Sequence, residues 1–390
     1  MNPDFYPYQK IFHTQTLNSN ILVPLMQIND QIIMPEQPRP IVIIGAGGIV
    51  SDAHLPAYQI AGFKVAGIND IKQEKAVSLA QKFSIPKVYA SVEQAVAQAP
   101  ANTVFDIAVP ASALPGLLPK FPRGAGILIQ KPMGEDLAQA RQLLSICRER
   151  EYTAAVNFQL RTAPPVIAAR HLIEEGCLGE LLDIEMRVTV DTPWHLWDFF
   201  EKCQRVEILY HSIHYIDLIR SFLGDPKRVY AKTVKHPDLI KIASVRTTLM
   251  LDYGEFVRAT INTNHAHKFG LKHQESYLKF EGTQGAIKIR LGVMMDYPKG
   301  TSDEFEVCLL QGEEEAGWQS YDIRGSWFPE AFIGSMSSLM CKLEDPSRPL
   351  PTSVEDAFAT MSCVEAAYQS SEGGGVPLYG SQNSKVKIQK

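Results

Sequence analysis

From residue 40 onward, short apolar runs alternate with stretches whose apolar residues recur at helical spacing. Pro40-Ile41-Val42-Ile43-Ile44 is β-branched and too short for a helix, so it predicts a strand buried on both faces and ended by Gly45. A second run covers 63–68. Between Lys72 and Ser84, Ala76, Leu79, Ala80 and Phe83 recur at i, i+3, i+4 and i+7, which is one helical face. Strand signals at 104–109 and 126–129, then a helix with Leu137, Ala140, Leu144 and Cys147 on one side, continue the alternation to about residue 158. This order predicts parallel βαβ units.

After residue 158 the pattern changes. Pro164-Pro165 opens a helical stretch that Gly176 and Gly179 end, and Leu182, Ile184, Met186, Val188 and Val190 then alternate with polar neighbours. Such a strand has one wet face. Val257, Ala259 and Ile261 alternate likewise, with further strand signals at 277–281, 286–290 and 305–311 and helical ones near 329–343 and 354–371. An open, mainly antiparallel sheet follows from this, with the last helices returning towards the first unit. Residues 1–39 are rich in Asn, Gln and Pro and end in a PEQPRP linker. They form an arm, either flexible or packed on a neighbouring subunit, or else a short cap or an upstream extension before Met34. Residues 379–390 form a tail.

At roughly 150 residues per domain, the 390 residues make two domains and the arm. An apolar fraction of 45% with 21% charged residues is that of a globular chain able to bury a sizeable core. The net charge of −5 gives no basic face, which argues against nucleic acid as a partner. No apolar stretch reaches the ~18 residues that span a bilayer, and the first residues lack a signal-peptide core, so neither membrane nor export is expected and the reading is cytoplasmic. Six cysteines without CxxC spacing are expected to be reduced and buried, with no structural metal cluster.

Three segments carry candidate chemistry. Gly45-Ala46-Gly47-Gly48-Ile49-Val50 joins the first strand to a helical stretch, and Asp70 closes the second strand 25 residues on. Gly45 permits a tight turn, Gly47 lets backbone N–H groups approach a pyrophosphate, and the helix turns its positive end to that anion. Asp70 suits a ribose 2′-hydroxyl and repels a 2′-phosphate, so NAD is expected ahead of NADP. Val50 stands where a small third residue is usual, so looser packing of helix on strand is expected there. Lys131 follows the strand 126–129, at the strand end where α/β sheets hold ligands; desolvated, it would serve as acid or base, and otherwise it is a solvated lysine.

The stretch 206–224 reads as a helix stopped by Gly224 and Pro226. Tyr210, His214 and Asp217 fall at i, i+4 and i+7, so His214 would move a hydroxyl proton with Tyr210 beside it and Asp217 orienting the imidazole. His211 and His214 with His195 would make a metal site, a reading that no acidic ligand pattern accompanies. Asp191 to Phe200 packs Trp194, Trp197, Phe199 and Phe200 around His195, either as stacking faces for a sugar or as core or subunit interface.

Together IVIIGAGGIVSDAHLPAY, VAGINDIKQEKA, GILIQKPMGEDLAQA, NFQLRTAPPVIAARHLIEEGCLGELLDI, HSIHYIDLIRSFLG and FEGTQGAIKI resemble the Gfo/Idh/MocA family of NAD(P)-dependent oxidoreductases over about residues 40–378. The resemblance implies a Rossmann dinucleotide-binding domain (40–158), then a substrate-binding and oligomerisation α/β domain (159–378) whose sheet serves homodimer or homotetramer contacts. It implies cofactor contacts from Gly45, Gly47, Gly48, Ile49, Val50 and Asp70. Further contacts would come from Val109, Pro110, Gln130, Lys131, Pro132 and Asn157. The implied catalytic groups are Lys131, His214 and Tyr210, and the substrate would meet Lys131, Arg161, Trp194, His195, Trp197, His211 and His214. Three positions depart from the family pattern: Gln130 replaces the glutamate of a Glu-Lys-Pro motif, Tyr210 the aspartate of Asp-x-x-x-His, and Leu114 a frequent histidine.

The function expected is hydride transfer between NAD and a neutral sugar, sugar lactone or cyclitol, with sugar acids second through Arg161. A catalytically silent NAD-binding regulator is the alternative that Gln130 and Tyr210 motivate. Metal-dependent hydrolysis through His195, His211 and His214 is the third.

Overall fold

The computed structural model describes residues 28–311, 314–315 and 317–375. Strands β1 (Ile41–Ile44), β2 (Val65–Asn69), β3 (Val104–Ile107), β4 (Gly126–Ile129) and β5 (Thr153–Val156) form one parallel sheet in the order β2-β1-β3-β4-β5. Every residue of β1, β3 and β4 is buried, as their unbroken apolar runs require. Helices α1 (Leu55–Ile60), α2 (Gln73–Phe83), α3 (Val92–Gln98), α4 (Leu114–Leu117) and α5 (Leu137–Glu149) make the crossovers. α2 buries Ala76, Leu79 and Ala80, the predicted stripe. α3 and β5 carry no strong periodicity and were not expected. Ser91 accepts the Gln94 N–H at 3.2 Å and starts α3.

The second unit opens with α6 (Pro164–Glu174), β6 (Leu181–Thr189) and α7 (Ile213–Leu223). There follow β7 (Arg228–Val234), β8 (Arg246–Asp252), β9 (Arg258–Asn264), β10 (Glu275–Gly282) and β11 (Gly285–Arg290). β12 (Glu304–Gln311), β13 (Glu314–Glu315) and β14 (Gln319–Tyr321) complete a nine-stranded sheet ordered β13-β12-β11-β10-β6-β9-β8-β7, with β14 also on β12. Among the described residues of this sheet, β6 and β9 pair in parallel and the other neighbours antiparallel. Ile184, Met186 and Val188 point into the core, while Arg187 and Glu275 pair at 2.5 Å on the outer face. This is the expected open sheet with one wet side.

Two helices end the described chain. α8 (Ala331–Glu344) returns to the parallel sheet, where Phe332, Met336 and Leu339 pack with Ile41, Ile43 and Leu128. α9 (Val354–Gly373) lies along β7, whose Ala231 and Thr233 N–H groups donate to Ser370 and Ser371. Of the arm, residues 28–39 pack on their own chain: the N–H groups of Glu36 and Gln37 donate to the Glu344 carboxylate at 3.2 and 2.6 Å. Residues 1–27 and the tail at 379–390 lie outside the described residues. None of the six cysteines is in a disulfide, but Cys177 and Cys203 are half-buried rather than buried as expected. Among the described residues no helix is long and apolar enough to cross a membrane.

Candidate functional site

The turn after β1 carries the strictest backbone demand. Gly45 has φ +111°, and a side chain there would run into the Ala108 carbonyl. At Gly47, by contrast, an added Cβ would meet nothing within 4 Å, so its bareness leaves space for a ligand. Asp70 at the end of β2 ties the turn down: one carboxylate oxygen accepts the Ala46 N–H and the other the Lys72 N–H, both at 2.7 Å. Each oxygen keeps a lone pair for a ribose hydroxyl. Val50 is fully buried, and the chain winds there as a π-turn over Val50–His54, so the close packing that a third glycine would give is not lost. Backbone bonds Ala108 to Ile44, Gln130 to Ile107 and Asn157 to Ile129 line up the strand ends. Gly45, Val109, Gln130 and Asn157 thereby share the carboxyl edge of the sheet, and these residues fit a dinucleotide.

Lys131 leaves that edge and donates from Nζ to the Tyr210 carbonyl oxygen at 2.7 Å. Burial lowers its ordinary value to about 8. His214 and His211 stand against it, the first buried and the second half-buried, and desolvation, with the charges of His265 and Lys131 on His211 and of Lys131 on His214, holds both imidazoles well below their usual range. His211 Nε2 and His214 Nδ1 have no hydrogen-bond partner among the described residues. A lysine poised between its two forms thus faces two neutral imidazoles with unspent polar atoms.

Several expected roles are overturned. Residues 206–224 are not one continuous α-helix, because a π-turn over Ile208–Ser212 precedes α7. Tyr210 gives Lys131 its backbone carbonyl, while its ring packs on Phe199 and Phe200 and its hydroxyl takes the Cys203 thiol at 3.8 Å. Asp217 does not orient His214; its two oxygens take Arg161 Nε and Nη2, each at 2.6 Å, and the Thr360 hydroxyl at 2.8 Å. Arg161 also reaches Asp356, so it is a buried tie rather than a cation waiting for a substrate. Trp194 is core, its indole N–H donating to the His265 carbonyl at 3.1 Å. His195 is exposed, His211 half-buried and His214 buried, and among the described residues no three His, Cys, Asp or Glu are placed to hold a metal, so the hydrolase reading has no site.

Residues 39–158 match the oxidoreductase family with an NAD-binding Rossmann fold, and residues 166–288 match the GFO/IDH/MocA C-terminal domain. The chain belongs to the Gfo/Idh/MocA family. D-apiose dehydrogenase of Rhizobium rhizogenes is 24% identical over 258 residues, 63% of this chain and 70% of that one. D-xylose 1-dehydrogenase [NADP(+)] of Haloarcula marismortui is 22% identical, over 65% of this chain and 72% of its own. An oxidoreductase from Agrobacterium radiobacter, solved with NAD+, L-tartaric acid and magnesium, has the same fold, with TM-score 0.72 and 21% identity over 87% of this chain and 98% of that one.

Around the candidate site of this Gfo/Idh/MocA oxidoreductase stand residues that periodicity did not single out. His265 stacks on His211 at 4.3 Å between centroids and lies 3.5 Å from the fully buried Glu207 carboxylate. Trp327 meets the His214 ring edge-on at 5.4 Å. Tyr297 packs 5.5 Å from the half-buried Trp197, and its hydroxyl is raised by burial and then by the charge of Asp52, beside the glycine turn. A cleft of about 910 Å³ opens between the domains, bordered by Pro110, Ser112, Phe199 and Tyr210. Glu207, an acid inside the apolar stripe Val206-Ile208-Leu209, was the one legible signal.

Proposed function

We propose that this oxidoreductase oxidises a secondary hydroxyl of a neutral sugar, sugar lactone or cyclitol, with NAD preferred. The half-buried Lys131, set at the carboxyl edge of the parallel sheet and facing His211 and His214, is the observation that carries the reading. Bound NAD supplies the hydride acceptor at its nicotinamide ring. In its neutral form Lys131 takes the hydroxyl proton, and the Tyr210 carbonyl then steadies the ammonium that results. His211 and His214, held neutral, present hydrogen-bonding nitrogens to the remaining hydroxyls without adding charge. The burial of His214 and the partial burial of Lys131 and His211 limit the water that competes for the proton.

The charge balance of this wall supports a neutral substrate. Arg161 is spent on Asp217 and Asp356, so neither a phosphate nor a sugar acid has that guanidinium to clamp it. Asp70 supports NAD over NADP, although two relatives carry the names of NADP enzymes. Tyr230 and Met250, exposed and paired across β7 and β8, support the outer sheet face as the contact of a homodimer or homotetramer.

The test is a panel of sugars, lactones, cyclitols, sugar acids and sugar phosphates incubated with NAD or NADP while absorbance of the reduced cofactor is followed. Reduction of NAD by a neutral ring is expected. A response to sugar phosphates alone would refute the neutral-substrate reading, and tighter NADP binding the Asp70 role. NAD bound tightly with no turnover on any compound would favour a silent regulator, the reading that Gln130 and Tyr210 support.

A further inference from the structure

Behind the strand ends lies a closed chain of polar groups. His54, fully buried at the end of the π-turn, places Nδ1 2.7 Å from Asp106 Oδ2, which also accepts the Tyr58 hydroxyl at 2.8 Å. His54 Nε2 lies 3.2 Å from Gln130 Oε1, and Asn157 Nδ2 donates to that same oxygen at 3.0 Å. The chain therefore runs from Asp106 through His54 to Gln130, the residue before Lys131. A carboxylate in the middle of β3, fully buried beside Phe105 and Ile107, costs several kcal/mol unless it is paired. Pairing it with His54 offsets that cost but does not account for its presence. Nor is the network arranged for stability alone, since Asp106 Oδ1 and Asn157 Oδ1 are buried without a donor among the described residues.

We propose that Asp106 and His54 are positioning residues that hold the Gln130 side chain in place beside Lys131. Asp106 fixes the His54 ring, and Asn157, with His54 Nε2 beside it, holds the Gln130 oxygen. The amide N–H2 of Gln130 is then turned away from them, towards the cofactor side of the strand end beside Lys131. The Asp106 carboxylate lies on the opposite side of that imidazole from Gln130. The proposal rests on the dinucleotide reading of that crevice.

Four proteins decide it: wild type, Asp106→Asn, Gln130→Glu and the double variant, each titrated with NAD and melted thermally. Asp106→Asn takes the charge from His54, and Gln130→Glu sets a second carboxylate against it, so each is expected to weaken NAD binding about fivefold or more. The double variant again has one carboxylate on the imidazole, and its affinity is expected to return to within about threefold of wild type. An affinity loss in the double variant equal to the product of the two single losses would overturn the proposal. Coupling seen in melting alone, with NAD affinity unmoved throughout, would also overturn it and leave a structural network. Should Asp106→Asn fail to fold, Gln130→Glu still decides, because unchanged or tighter NAD binding by that variant contradicts the assignment. Wild type that binds neither NAD nor NADP would remove the cofactor reading and the proposal together, whereas binding without coupling removes the proposal alone.

Discussion

Lys131 hydrogen-bonds a neutral carbonyl, and burial is what lowers it to about 8. Its neutral form is the base, so oxidation should speed up as pH rises through about 8, and the reverse reduction should slow over the same range. His211 and His214 are already neutral well below their usual range, so neither should add a limb near neutrality. Lys131→Ala is expected to lower turnover by about 10²-fold or more and to abolish the rise near 8, with NAD affinity nearly unchanged. Initial rates against pH for both proteins check this. A variant that keeps the wild-type profile would return Lys131 to a strand-end lysine without a proton role.

Arg161 shows how an element-level tie can resemble a site residue. It precedes α6, its main partner Asp217 lies on α7, and Asp356 and Thr360 come from α9, so one guanidinium fastens three helical segments. Removing one partner of a buried pair costs about 3–5 kcal/mol. Arg161→Ala should therefore lose that much stability in urea unfolding, with the KM for the substrate unchanged in the fraction still folded. Unaltered stability with a raised KM would restore the substrate role. The sequence could not show this tie, because helical spacing tells which residues share a face but not which distant helix meets it. The π-turn over Ile208–Ser212 then shifted the phase of that face, which is why Tyr210 points its ring at Phe199 and Phe200. The glycine turn, Asp70 and Lys131 were legible because strand-turn-helix geometry is local. β1 to β4 and β6 were legible from apolar runs or alternation, whereas β5 is Thr-Ala-Ala-Val and β7 has no fully buried row to announce it.

The two domains share one construction. The boundary near residue 158 separates two sequence patterns, yet one side of the parallel sheet is closed by α8, from beyond residue 330. Ile333, Met336 and Met340 fill that layer with Ile43 and Ala155. Gly126 has its place for the same reason, since a Cβ there would come within 2.5 Å of the Leu343 side chain. Residues 36 and 37 fasten the far end of α8 at Glu344. The other core cluster is continuous across the chain, from Val42 and Phe105 to Ile184 and Leu278. A fragment of residues 40–158 would expose the apolar face that α8 covers, at about 25 cal/mol per Å² of surface left wet. It should bind a hydrophobic dye, melt without a sharp transition and fail to retain NAD, while the full chain melts in one step that NAD raises through binding to the folded state alone. A compact 40–158 fragment with a cooperative melt and native NAD affinity would show that α8 is dispensable and that the cofactor domain stands alone.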